Sequence, residues 1–290
     1  MLRKKNIILN GNRAIGSEII HQNDMVNIFI SDETIAKFKR DNHKFVSFNN
    51  LPNPKLIYED KNFLIAVKPK GLLSHPNNNE RNSLTDIITN YLFKTGDYQQ
   101  STFIPAIANR LDKNTTGIVL CGKNLPALQS LNEAIKNKNL HKYYVAIVVG
   151  QVKKGNILND YYIKDKKKNK VIVSSYPQGD QIITEYMPLA VYKKFSFIKL
   201  RLITGKPHQL RAHMAFAGYP ILGDPKYGNL NYNKWLSENF KIKDQLLHAE
   251  SIFFKDCSKP LENVKGKTFT APLTDEFKTM LNFFGNEEKK

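Results

Sequence analysis

Apolar residues in this chain gather in runs of strand length, each cut off by charge, glycine or proline. Phe63–Val67 (FLIAV) is stopped by KPKG, Ile118–Cys121 follows a threonine–glycine turn, Tyr143–Val149 alternates and then runs apolar, and Phe195–Ile203 alternates throughout. Such runs predict strands of a half-buried or buried sheet, and none approaches the length that spans a bilayer. Helical signals fall between them. Ser83-Leu84-Thr85-Asp86 reads as a capping box opening a helix to about Lys94, and Pro126–Lys136 reads as a second helix. HQLRAHMAFA (208–217) reads as a third, with Pro207 as its first helical residue and Gly218 as its C-terminal cap. Strands and helices without strict alternation predict an α+β fold, not a doubly wound parallel sheet.

The 290 residues divide unevenly. Residues 1–46 read as a small unit, with Ile7–Leu9 and Val26–Ile30 as short strands, Asn10-Gly11 as a tight turn, and Arg3, Lys4, Lys5 and Arg13 around it. SFNNLPNPK (47–55) reads as a linker, residues 56–285 as the main domain and 286–290 as a frayed tail. KDKKKNK (164–170) lies between two strand-like segments and reads as a solvated hairpin tip. Cys121 and Cys257 both sit beside apolar segments, as small buried residues do; neither a disulfide nor a cysteine metal site is expected. The basic N-terminus has too short an apolar run for a signal peptide, so the cytoplasm is the expected location. A net charge of +18 points to nucleic acid as the partner. A membrane surface lacks the long basic amphipathic helix it would need.

One stretch concentrates the chemistry. NRLDKNTTGIVLC (109–121) places Asp112 between Arg110 and Lys113. By itself that acid reads as a turn residue. In the helix after Pro207, His208 and Arg211 share a face, and Leu210, Met214 and Ala217 form an inward one. Arg211 offers a rigid fork to a carboxylate across a cleft, and Asp112 is the candidate. A carboxylate held by arginine suits a nucleophile better than a general acid. His213 falls five residues after His208, off the spacing that lets two helical histidines share a metal. The sequence has no GxxxxGK[ST], GxGxxG or GxSxG motif, and no second acid close to Asp112 for paired-carboxylate chemistry. Of Tyr143 and Tyr144, only one can face a cleft, because a strand alternates its sides.

Taken in order, several segments resemble the RluA-type family of RNA pseudouridine synthases. NRLDKNTTGIVLCGK is similar to the family's HRLDxxTSG motif, LIYEDKNFLIAVKPKGLLSHP to its KPxG element, and HKYYVAIVVG to its K-x-Y strand. ITGKPHQLRAHMAFAGYPILGDPKYG is similar to the GRxHQ…GDxxYG segment, and LLHAESIFF and TAPL to later elements, so the likeness runs over roughly 56–273. The resemblance implies a mixed, largely antiparallel central sheet with flanking helices. It also implies isomerisation of uridine to pseudouridine: the N1–C1′ bond breaks, the uracil turns, and C5 joins the sugar. Asp112 would be the catalytic aspartate, Arg211 its ion-pair partner and Tyr144 the ring against the target base. Arg110 would fill the space left by the flipped nucleotide, and Leu210 would pack near the base. Lys206, His208 and Asn109 would lie on the substrate side. Asn109 replaces a common histidine, and Lys206 replaces a common arginine, keeping charge without a bidentate phosphate grip. No cofactor or metal is expected, because nothing is oxidised and no group is lost.

IILNGNRAIGSEIIHQNDMVNIFI (7–30) resembles the second half of an S4-like RNA-binding domain, without the opening helix. Within the family such a unit points toward large-subunit ribosomal RNA more than toward tRNA, which stays the second candidate, and a monomer is expected. A catalytically silent RNA-binding or ribosome-assembly protein on the same fold is the alternative, against which the Asp112, Arg211 and Tyr144 set argues. A hydrolase of nucleic-acid phosphates would need metal carboxylates or a histidine pair that the sequence does not display.

Overall fold

The computed structural model describes residues 7–16, 18–34, 51–77, 82–98, 103–165 and 170–287. The chain divides into two compact units, Met1–Asn49 and Asn50–Lys290. In the first, β1 (Ile7–Leu9) pairs antiparallel with β2 (Asn12–Arg13) on one side and β3 (Val26–Ile28) on the other. Asn10 and Gly11 turn the β1–β2 hairpin at φ 48° and 80°, the positive pair that a tight hairpin turn requires. The Asn10 side chain fixes that turn, donating to Asp24 and accepting from the Met25 amide. The third strand ends at Ile28, two residues short of the expected Ile30. The basic residues Arg3, Lys4 and Lys5 and the first part of the expected linker lie outside the described residues.

The second unit carries an 11-stranded sheet. Its strands are β4 (Lys55–Glu59), β5 (Phe63–Lys68), β6 (Ala106–Ile107), β7 (Thr116–Gly122), β8 (Leu140–Val149), β9 (Asn156–Asp165), β10 (Lys170–Ser174), β11 (Asp180–Val191), β12 (Phe195–Leu202), β13 (Leu247–Phe254) and β14 (Thr268–Thr270). They run in the order β10-β9-β11-β12-β8-β13-β7-β5-β4, with β6 on β7 and β14 on β13. Every described pairing between these strands is antiparallel except β13 with β7. With five α-helices among the described residues of this unit, this is the expected α+β arrangement. The main domain takes up its sheet one residue earlier than expected, because Lys55 already pairs with Val67. The lysine-rich stretch does join a hairpin, but Lys164 and Asp165 belong to β9 and Lys170 to β10; 166–169 lie outside the described residues.

The helices are α1 (Leu84–Lys94), α2 (Leu125–Lys136), α3 (Gln209–Phe216), α4 (Leu230–Phe240) and α5 (Asp275–Glu287). α1 begins with the expected capping box: Ser83 and Asp86 bond to each other's backbone amides. α3 departs from expectation at its start. Pro207 is not its first residue; His208 is the N-cap, in the left-handed region at φ 55°, and the helix opens at Gln209. α5 continues through residues expected in the tail, because Phe277, Met280 and Phe284 bury one stripe against Val145, Ile147 and Phe195. A second core joins Phe63, Ile65, Ile118 and Leu120 to Ala127 and Leu131 of α2. At Gly117, φ is 113° and a Cβ would strike the Ala249 carbonyl, so only glycine lets β7 meet β13 there. That close approach fixes the chain just after Asp112. No helix among the described residues is long and apolar enough to cross a membrane.

Candidate active site

Residues 108–115 connect β6 to β7 and form one wall of a cleft of about 1070 Å³. The loop is tied down on several sides. Ser74 Oγ donates to the Leu111 carbonyl at 2.8 Å and accepts from the Leu111 amide at 3.0 Å. Asn109 donates to the Ile118 carbonyl and accepts from the Leu120 amide, at 3.1 and 2.8 Å. Beneath them, the fully buried Lys68 donates from Nζ to the carbonyls of Pro69, Leu72 and Lys113 at 2.9, 2.7 and 2.7 Å. Burial pushes the Lys68 amine down to about 7, against the upward pull of the Asp112 charge.

With the backbone held in this way, the Asp112 side chain meets α3. Arg211 Nη1 donates to Asp112 Oδ2 at 2.8 Å, while Nε and Nη2 grip both oxygens of Asp224 at 2.7 and 2.8 Å. The guanidinium also lies over the Tyr227 ring, 5.5 Å from its centre. Burial opposes charge on Arg211, but the bonds and charges of Asp224 and Asp112 outweigh it and keep the group cationic. Burial likewise opposes charge on Asp224; the Arg211 fork and the amides of Lys226 and Tyr227 prevail and hold that carboxyl below its ordinary range. Asp112 is more open, its side chain 26% exposed. Among the described residues no hydrogen bond reaches its Oδ1. One oxygen is therefore anchored and the other is unbonded, on a side chain that lines the cleft.

The remaining candidates line the same cleft. Tyr144 presents a buried ring there, and burial together with the Asp112 charge pushes its phenol upward, so it stays neutral. Tyr143 points to the other face of β8, where Lys199 lies 5.0 Å over its ring. His208 Nε2 stands 4.0 Å from Asp112 Oδ2, and its Nδ1 lies 3.1 Å from the Tyr227 hydroxyl. Burial lowers the His208 pKa, partly offset by the Asp112 charge. Leu210 is buried in the wall and Arg110 is exposed at its mouth. Lys206 pairs with Asp180 at 2.7 Å, so its charge already has an acid. Asn109 lines the cleft, but its amide is committed to β7. His213 turns away, bonding Thr184 and Asp160.

Sequence reasoning missed Asp224, Lys68 and Tyr227. Each lies in a quoted segment, GDPKYG or KPKG, yet nothing local to those segments says that they converge on Arg211 and the Asp112 loop. Asp224 reaches Arg211 because α3 ends at Ala217–Gly218 and the chain doubles back through a turn.

A sequence profile described as RNA pseudouridylate synthase matches residues 62–216. A relative from Buchnera aphidicola subsp. Baizongia pistaciae, named ribosomal large subunit pseudouridine synthase C, is 32% identical over 95% of this chain and 86% of its own length. One from Borreliella burgdorferi, named ribosomal large subunit pseudouridine synthase D, is 33% identical over 70% of this chain and 64% of its own length. A solved structure of human RNA pseudouridylate synthase domain containing 4 shares the fold, with a TM-score of 0.63, at 22% identity over 80% of this chain and 93% of that one. A mixed sheet with flanking helices is thus shared with a solved RNA pseudouridylate synthase domain. The chain belongs to the RNA pseudouridylate synthase family, in its RluA-type branch.

Proposed function

We propose that this protein isomerises specific uridines to pseudouridine in large-subunit ribosomal RNA, with Asp112 as its catalytic residue. The observation that carries this reading is the asymmetric holding of Asp112 in the cleft wall: Arg211 fixes Oδ2, and no hydrogen bond among the described residues reaches Oδ1. Addition to C1′ and removal of a sugar proton both begin from that free oxygen. Arg211 is the positioning residue, and Asp224 holds Arg211 in turn. A neutral Tyr144 provides a face for the target base. Arg110, exposed at the mouth, fills the helix where the base has left it. Leu210 forms the apolar side of the base pocket, while Lys206 and His208 approach the RNA from the turn that leads into α3. The N-terminal unit acts as an S4-like RNA contact, and the enzyme works in the cytoplasm as a monomer.

The test is chemical mapping of pseudouridine in the total RNA of a strain lacking the gene, complemented by the natural protein or by Asp112→Asn. The reading predicts that one or a few large-subunit sites vanish and return only with the natural protein. Return of those sites with Asp112→Asn would overturn the assignment. Growth or assembly rescued by Asp112→Asn, with no site lost, would favour the silent RNA-binding alternative.

A further inference from the structure

Most half-buried cations around the cleft have an acid or a set of carbonyls within the protein. Arg211 has Asp112 and Asp224, Lys206 has Asp180, Arg201 has Glu185, and Lys68 has three carbonyls. Lys142 is different. It lines the cleft, yet among the described residues neither an ion pair nor a hydrogen bond reaches its Nζ. Burial lowers its pKa, and no carboxylate is near enough to oppose that effect. A half-buried ammonium with no protein partner among the described residues is placed to take an anion.

Its position shows what would complete it. Lys142 precedes Tyr144 by two residues on β8, so both side chains leave the same face of the strand. Their Cα atoms are separated by about 7 Å. Lys142 pairs with Leu202 at the end of β12, where the chain turns toward α3 through Gly205. A Cβ at Gly205 would lie 3.5 Å from the Lys142 Nζ, so the ammonium rests against bare backbone, with no side chain there to cover it. A base carbonyl would leave the charge uncompensated, whereas every nucleotide brings an anion in its phosphodiester.

We propose that Lys142 is a phosphate-binding residue, holding the RNA backbone next to the uridine that stacks on Tyr144. This rests on the reading of the cleft as an RNA site and names the group that its unpaired lysine takes. The experiment uses the full chain with Lys142→Met, Lys142→Gln and Lys142→Arg. Binding to an unmodified large-subunit ribosomal RNA transcript, and in parallel to polyuridylate, is measured as a function of KCl concentration. Loss of one phosphate contact should weaken binding about tenfold at low salt and make the log–log salt slope shallower by about 0.7–0.9. Lys142→Arg should restore the slope, and the kinetic loss should fall mainly on KM. An unchanged slope in both Lys142→Met and Lys142→Gln would overturn the proposal, even if affinity fell. A loss confined to kcat would do so as well, since it would place Lys142 at the detached uracil. A natural protein that binds with a steep slope but isomerises nothing would strike the functional reading instead, leaving the slope comparison to decide the phosphate contact.

Discussion

On one side of Asp112, the 108–115 loop and α3 form a closed network. Ser74, Asn109 and Lys68 hold the loop backbone, and Asp224 holds the arginine that holds the aspartate. On the other side, around the start of β8 and the cleft mouth, Arg110, Lys136, Lys138 and Lys142 line the wall with no carboxylate in ion-pair range among the described residues. The inner region finds its partners within the protein, with Asp112 Oδ1 left over for the substrate. The outer region is an excess of positive charge that a polyanion would complete. Such a division fits an enzyme that must place one atom accurately while gripping a long, repetitive backbone. Changes to the first region should be read in turnover and stability, and changes to the second in affinity and salt dependence.

Asp112→Asn should have the largest effect, lowering turnover by about 10⁴-fold or more while RNA binding persists. A filter-binding measurement beside an isomerisation assay separates the two. Asp224→Ala should come next. It leaves a buried guanidinium with Asp112 alone and should destabilise the fold by about 3–5 kcal/mol, read by chemical denaturation. The natural protein should show the acid signature of this pair. Because the folded-state pKa of Asp224 lies below its unfolded value, the stabilisation is fully present above about pH 4 and is lost as pH falls through the folded pKa. Asp224→Asn should flatten that acid limb of a stability–pH profile. Lys68→Met should cost about 1–3 kcal/mol, since three loop carbonyls lose their donor, and turnover should fall with it. Asn109→Ala should cost about 1–2 kcal/mol, seen as a lower Tm. If it changed the salt slope of RNA binding instead, Asn109 would belong to the outer region.

The elements of this site differ in how far the sequence reveals them. Asp112, Tyr144 and Arg211 sit in contiguous motifs, so their types and neighbours could be read directly, and all eight candidate residues line one cleft. What local pattern does not carry is convergence. Asp224 and Lys68 act on groups that other strands and turns deliver to them. The left-handed backbone at His208 is likewise set by packing, since Gln209 bonds Thr204, the Lys206 amide and the Ile183 carbonyl and so fixes where α3 begins. Proline at 207 looks like a helix start, yet these tertiary bonds move the start two residues on. The stripe of Phe277, Met280 and Phe284 is visible in the sequence, but only their burial shows that the helix extends into the expected tail. α4 gives weaker warning still, with Leu236 alone fully buried along its length.

The most direct measurement is release of tritium from ribosomal RNA labelled at uridine C5, by the natural protein and by Asp112→Asn under identical conditions. Forming the new carbon–carbon bond requires loss of the C5 hydrogen, so each turnover liberates one label. Release by the natural protein and none by Asp112→Asn, with equal RNA binding, is the predicted result. Release by both, or by neither while the RNA is bound, would contradict an isomerase built on Asp112.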